Sequence, residues 1–355
     1  MLPPRALALP KIVLRQHLLK ESVNMIYPRS LKSVFAALAV AAFSAAAPMK
    51  AVSAEQYPTR AIKIVVPVAP GGGSDVTTRR VADAMSKILG QPITIENRPG
   101  AAGIIASELV AKAAPDGYTL LAGTRTTATF NIALYKSLPY HPIDSYVPIG
   151  RMNSFPNVLV VAPSLGVNTI KELVELAKRS AKPLSFASGG VGTSTHLMGE
   201  ILKSSAKINL LHVPYKDSSA FITDTIAGRI DMVFANIPQA LPHVQSGRLK
   251  ALAITSTERS TLLPGIPTAI DAGFNDLNFS NWVALFAPKG TPADAVAILH
   301  GALQKAMEQP DMRQALLAVG SYVETDPSPA EFAKFLKVDV DQWSAVIRAT
   351  GVPPQ

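Results

Sequence analysis

Residues 62–80 read IKIVVPVAPGGGSDVTTRR: an apolar run, three consecutive glycines at 71–73, then a stretch patterned as a helix. A strand that passes through glycines into a helix is the repeating element of open α/β sheets. Ligands of such sheets gather at the carboxyl ends of the strands, where the positive end of the next helix points. Glycine lets backbone amides come close to an anion, yet Asp75 places a carboxylate where the anion would sit. An aspartate in the first turn of a helix is favoured because it accepts N–H bonds from the helix end. The expectation is that Asp75 turns inward and the amides of Gly72, Gly73 and Ser74 face a cleft, with Ala69 on the approach. The alternative is an outward Asp75 that selects a ligand bearing an amino group. A P-loop would close on Gly-Lys-Ser/Thr, and a dinucleotide fingerprint would need a further glycine where Val76, Thr77 and Thr78 stand. Nucleotide binding is therefore disfavoured.

A glycine cluster alone is as often a plain tight turn. The balance shifts at 184–196, where LSFAS runs into GGVGTSTH, again strand, glycines and helix. Two such loops can present two helix ends to one small anion, Ser188, Gly192, Thr193, Ser194 and His196 lining the second. Strand-like runs alternate with helical patterns along most of the chain, which predicts layered α/β structure with largely parallel pairing. Helices are expected to close at Gly90 and Gly228, and to start at Thr169, Thr291 and Ser328, each followed three residues later by Glu or Asp. Two long extended passages, 147–163 and 278–290, have the length to cross between lobes. The predicted layout is a clamshell with a discontinuous lobe I, 55–156 and 278–355, around lobe II, 157–277. The final amphipathic helix, 332–347, is expected to pack on its own lobe.

The amino-terminal segment is set apart. Arg29 and Lys32 precede the apolar VFAALAVAAFSAAA (34–47), and VSA (52–54) precedes a polar EQYP. That order describes a secretory signal peptide cleaved after Ala54. Its apolar core of 14 residues is short of the roughly 20 needed to span a bilayer. Met25 is an alternative start. Residues 1–54 hold seven Lys or Arg and one Glu, so they account for +6 of the net +9 and leave +3 for the rest. No basic cluster with interleaved aromatics remains, which argues against nucleic-acid binding. The chain has no cysteine, so disulfides, thiolate catalysis and cysteine-held metals are excluded. A soluble, exported protein is expected.

The blocks YPTRAIKIVVPVAPGGGSDVTTR, ENRPGAAG, DGYTLLAG, GVGTSTH, HVPYKD and NWVALFAPKGTP, in this order, resemble the Bug family of substrate-binding proteins associated with tripartite tricarboxylate transporters. The resemblance covers essentially the whole chain after residue 54. It implies a two-lobed α/β fold of the type II periplasmic binding-protein kind, each lobe a mostly parallel sheet flanked by helices. It further implies a small organic carboxylate as ligand and delivery to permease subunits or a sensor. It implies that the loops 70–75 and 188–196 pinch one ligand carboxylate. Thr124 resembles a family position at the cleft, and Asn236 ends IDMVFAN at the carboxyl edge of a strand. Asn281 and Trp282 are placed on the rim, Trp282 being as readily core packing. A monomer with no cofactor and no metal is expected.

The competing class is a secreted serine hydrolase using the Gly192–His196 loop. Gly-Thr-Ser-Thr-His supplies only the first half of a G-x-S-x-G elbow. His196 and Glu200 are spaced to share a helix face, but no third metal ligand is evident. His141, His212, His243 and His300 show no pattern, and Lys216-Asp217 reads as a turn.

Overall fold

The computed structural model describes residues 57–215 and 218–355. The leader expected at 1–54 and the turn at Lys216-Asp217 lie outside the described residues.

The opening stretch folds as expected. β1 (Ile62–Val66) leads through the glycines into α1 (Gly73–Leu89), which ends on Gly90 in the left-handed conformation, φ 68°. There follow β2 (Ile93–Asn97), α2 (Ile104–Ala111) and β3 (Thr119–Thr124). A π-helical turn, Thr126–Phe130, and the single turn α3 (Asn131–Leu134) lead to β4 (Tyr146–Val161). Then come α4 (Ile170–Arg179), β5 (Leu184–Ser188), α5 (Ser194–Ala206), β6 (Leu210–Pro214) and α6 (Ser218–Ile226). β7 (Met232–Asn236), α7 (Ile237–Gln245), β8 (Lys250–Ile254) and β9 (Ser280–Pro288) continue the chain. It closes with α8 (Ala293–Met307), α9 (Pro310–Leu317), β10 (Tyr322–Val323) and α10 (Pro329–Ala349).

Among the described residues the strands run in the order β2-β1-β3-β9-β4-β7-β5-β6, with β8 and β10 added on β4. The flanks, β2-β1-β3 and β7-β5-β6, are parallel as expected. The middle is antiparallel, because β4 and β9 run against each other and against their outer neighbours β7 and β3. β4 is the first long passage: Tyr146–Pro156 pairs with β9, and Asn157–Val161 pairs with β7. The result is two α/β halves sharing a curled sheet, with helices on its faces.

The strands are apolar almost throughout because both faces are covered. Ile62, Ile64 and Val66 point into one core with Met85, Leu285 and Leu303, and Val65 into another with Trp282, Phe286 and Phe332. In the second half Leu159, Phe186, Leu197 and Phe234 share one face, and Val158, Val160, Val233 and Ala235 the other.

Two of the expected helix starts form. Thr169 Oγ1 accepts the Glu172 amide at 3.1 Å, and Ser328 Oγ accepts the Glu331 amide at 3.2 Å. The third does not. The Thr291 hydroxyl donates to the Pro288 carbonyl at 2.8 Å, closing a turn, and α8 begins after Pro292. In the final helix, α10 puts Phe332, Leu336 and Val340 into the Trp282 core and Trp343 against Phe130 and Phe279, ring centroids 5.2 Å apart in each pair; these partners fall within the segments expected to form its own lobe. At 21 residues it is about 31 Å long. Its Asp339 is buried and accepts from Arg125 Nη2 at 2.8 Å, Thr129 Oγ1 at 2.8 Å and Trp282 Nε1 at 3.3 Å. Arg125 also donates to the Ser280 carbonyl, so one ion pair ties the π-helical turn, the start of β9 and α10 together.

Candidate functional site

Asp75 is 2% exposed and turned inward. It does not cap the helix in the strict sense: Gly72 is the N-cap of α1, and no side chain caps that end. The carboxylate folds the loop instead. Oδ2 accepts the Gly71 amide at 2.9 Å and Arg79 Nε at 3.0 Å, and Oδ1 accepts Asn97 Nδ2 at 2.8 Å. Asn97 also donates to the Val68 carbonyl at 3.0 Å and accepts Arg79 Nη2 at 2.8 Å. Burial pushes the Asp75 carboxyl up, but the bonds from Arg79, Asn97 and Gly71 outweigh it and leave it below the ordinary carboxylate range. Three donors occupy both oxygens, which disfavours an outward contact with a ligand amine. The Gly72 amide, expected to face the cleft, turns back on the Ala69 carbonyl at 3.3 Å. Among the described residues the amides of Gly73 and Ser74, at the head of α1, make no such bond.

The second loop is held without charge. The Gly189 amide donates to Thr195 Oγ1 at 3.0 Å, the Gly190 amide to Ser188 Oγ at 3.1 Å, and the Gly192 amide to His196 Nδ1 at 3.3 Å. Thr193, the N-cap of α5, sends its hydroxyl to the Gly190 carbonyl at 2.7 Å and within 2.9 Å of Thr195 Oγ1, not onto the helix end. α5 therefore also begins without a side-chain cap. Ser194, at its first position, is nearly buried.

Between the loops runs a strained segment. Ala101 and Ala102 adopt φ of 45° and 50°, flanked by Gly100 and Gly103, a conformation that costs an L-residue on the order of 1 kcal/mol or more. Gly103 abuts Thr127 and leaves only 3.0 Å from its virtual Cβ to Pro67, at the foot of the first loop. Gly192, at φ 83°, is as close to the far side: a Cβ there would stand 3.1 Å from Leu134 and 3.9 Å from the Ala102 Cβ. Residues 100–103 thus stand beside Pro67, which follows β1, and beside Gly192 of the second loop. Thr124 joins them, its amide donating to Thr127 Oγ1 at 2.9 Å. Asn236 ends β7 and is the N-cap of α7 without bonding its helix. Trp282 is core, 1% exposed, and Asn281 Oδ1 accepts its own chain's Trp282 amide at 3.1 Å.

His196 supports the loop rather than activating a nucleophile. Its Nδ1 is engaged by Gly192, its Nε2 lies 3.9 Å from a Glu200 shared with Lys203, and no hydrogen bond joins it to Ser194 among the described residues. The serine–histidine contact that does form is Ser188 Oγ to His212 Nε2, 2.6 Å. His212 stacks on Phe186 at 4.9 Å and lies tilted against His196 at 4.2 Å. Burial lowers both imidazoles to about 4, aided at His212 by the neighbouring His196 and at His196 by Lys203. Among the described residues no three acidic or imidazole side chains converge as a metal site. Sequence reading missed Asn97, Ala101–Ala102 and His212. The blocks ENRPGAAG and HVPYKD contain them, but their contacts depend on strand pairing.

Mixed α/β structure around one curled sheet with helices on its faces is the fold of solute-binding proteins of the periplasmic type, and the comparisons place the chain within that class. The family profile described as "Tripartite tricarboxylate transporter family receptor" matches residues 77–352. The chain belongs to that family. The protein BugT of Bordetella pertussis is 34% identical over 303 residues, covering 84% of this chain and 92% of BugT. Among solved structures, periplasmic binding protein BugD is 33% identical with a TM-score of 0.79, over 84% of this chain and all of BugD. MatC from Rhodopseudomonas palustris, solved with bound malate, is 32% identical with a TM-score of 0.77, over 82% of this chain and all of MatC.

Proposed function

We propose that the chain captures a small organic carboxylate between the heads of α1 and α5 and presents it, closed, to the permease subunits of a tripartite tricarboxylate transporter or to a sensor. The observation that carries this reading is the pair of helix ends that no side chain caps, with residues 100–103 standing beside Pro67 before the first loop and beside Gly192 in the second. Amides of Gly73 and Ser74 on one side, and of the first turn of α5 with the Ser194 hydroxyl on the other, supply donors for a carboxylate without a lysine or arginine. The malate held by MatC agrees with that chemistry. The lobes are 55–156 with 278–355, and 157–277; the change of partner along β4 at Asn157 supports a hinge there. Ligand binding shifts the population toward closure by its preference for the closed state. The working protein is the periplasmic monomer left after cleavage at Ala54. It works by binding alone: His196 Nδ1 is taken by the Gly192 amide and His212 Nε2 by Ser188 Oγ, so among the described residues neither imidazole is bonded to Ser194.

The test is to unfold and refold the exported protein, removing retained ligand, and to follow its melting temperature against a panel of carboxylates. A ligand at 100 times its Kd adds about 2.7 kcal/mol, a shift of several degrees. A folded protein that no carboxylate stabilises, or one that hydrolyses esters and loses this in Ser194→Ala, overturns the reading.

A further inference from the structure

Asn157 is out of keeping with its strand. Phe155, Val158, Leu159, Val160 and Val161 around it are buried and apolar, and Asn157 is fully buried among them. Its backbone is satisfied: the amide donates to Thr255 Oγ1 at 2.8 Å and the carbonyl accepts the Thr255 amide at 2.9 Å. Its side chain is not, for neither Nδ2 nor Oδ1 has a hydrogen-bond partner in the protein. Directly across the β4–β7 ladder stands Asn236, whose Oδ1 is buried and equally unpartnered. A buried amide left unpaired costs about 1–3 kcal/mol, and an aliphatic side chain would serve packing better at either position.

The alternation of the strands fixes where the pair points. Leu159 and Val161 on β4, and Met232 and Phe234 on β7, belong to the core that contains Phe186 and Leu197. With a period of two, Asn157 and Asn236 lie on this face, which α5 covers. β7 runs parallel to β5, with Phe186 level with Met232 and Ala187 with Val233. Continuing that register puts Asn236 level with Gly190, inside the second glycine loop. The apolar face therefore ends in two amides at the edge where the loops meet.

We infer that Asn157 and Asn236 form a subsite that reads a hydroxyl group on the bound carboxylate, making the protein selective for hydroxy acids over their unsubstituted counterparts. This rests on the carboxylate reading above. Two acceptors and one donor are unpartnered. A hydroxyl donates to an Oδ1 and accepts from Nδ2, whereas a second carboxylate only accepts and would face two carbonyl oxygens. An ammonium group would also donate, but it would enter a buried face without counter-charge, since Asp75 is already taken by Gly71, Arg79 and Asn97. Asn157 is a specificity-determining residue, and the two glycine loops remain the grip on the first carboxylate.

The experiment uses refolded exported protein and calorimetric titration with matched pairs differing by one hydroxyl: malate and succinate, lactate and propionate, 2-hydroxyglutarate and glutarate, mandelate and phenylacetate, with aspartate as the amino counterpart of malate. The expected result is a hydroxy acid bound at least tenfold tighter than its partner. In Asn157→Leu the preference falls below threefold while the unsubstituted acid keeps its affinity within threefold, and the ligand-free melting temperature rises. Should Asn157→Leu not fold, Asn157→Ser and Asn236→Leu give the same reading of the preference. Equal affinity within every pair, a preference untouched by these substitutions, or tighter binding of aspartate than of malate overturns the subsite and leaves the carboxylate reading standing. Binding of no acid in the panel overturns both.

Discussion

The first glycine loop is pinned by a buried carboxylate with an arginine and an asparagine, while the second is pinned by hydroxyls and two neutral imidazoles. Both give the same backbone course, from strand through glycines to an uncapped helix. The difference shows that one backbone course can be fixed by different sets of side chains. They are not interchangeable in their response to acid or to mutation.

Acid gives the largest expected effect. His196 and His212 sit at about 4 in the folded protein, below the ordinary 6.5. The unfolded chain therefore takes up these protons first, so their contribution is complete above pH 6.5 and is lost as pH falls toward 4. The loss is on the order of 2 kcal/mol per histidine. Asp75 is held below its ordinary value, so its contribution is present above that value and fades only at still lower pH. Melting curves from pH 7 to 4 should fall steeply for the natural protein and less so for His212→Gln. Parallel curves for the two proteins would remove the histidines from the account of the second loop.

Next is Asp75→Ala, which strands the Gly71 amide and Asn97 and should cost about 2–3 kcal/mol in denaturant unfolding. A loss under about 0.5 kcal/mol would mean that the first loop holds its shape without the carboxylate. Glycine substitutions sharpen the contrast at a smaller scale. Gly192→Ala meets a positive φ and Leu134 at 3.1 Å, and should cost about 1–2 kcal/mol. Gly73→Ala, with open space around the new Cβ, should change stability by under about 1 kcal/mol in either direction. Equal melting temperatures for these two variants would contradict the backbone assigned to the second loop. Arg79→Ala is the smallest expected change, about 0.5 kcal/mol, because its guanidinium is half exposed.

What could be read in the sequence was local. β1, its glycines and α1 up to Gly90 follow from composition over 30 residues, as do the caps at Thr169 and Ser328. Thr291 misleads because Pro292 and Pro288 make a turn in which the hydroxyl finds a carbonyl first. The inward turn of Asp75 was legible from its place in the helix. Its partner Asn97 was not, since that contact requires β2 to pair beside β1. His212 and Asn157 became meaningful only once register placed them beside Ser188 and Asn236.

The ion pair on α10 bears on when the protein can fold. Asp339 meets Arg125 across 214 positions of chain, and residues 332–347 complete two cores at once. Contacts so distant in sequence delay folding, and these two cores stay open until that helix has been synthesised, while the cores around Met85 and around Val233 hold no residue of it.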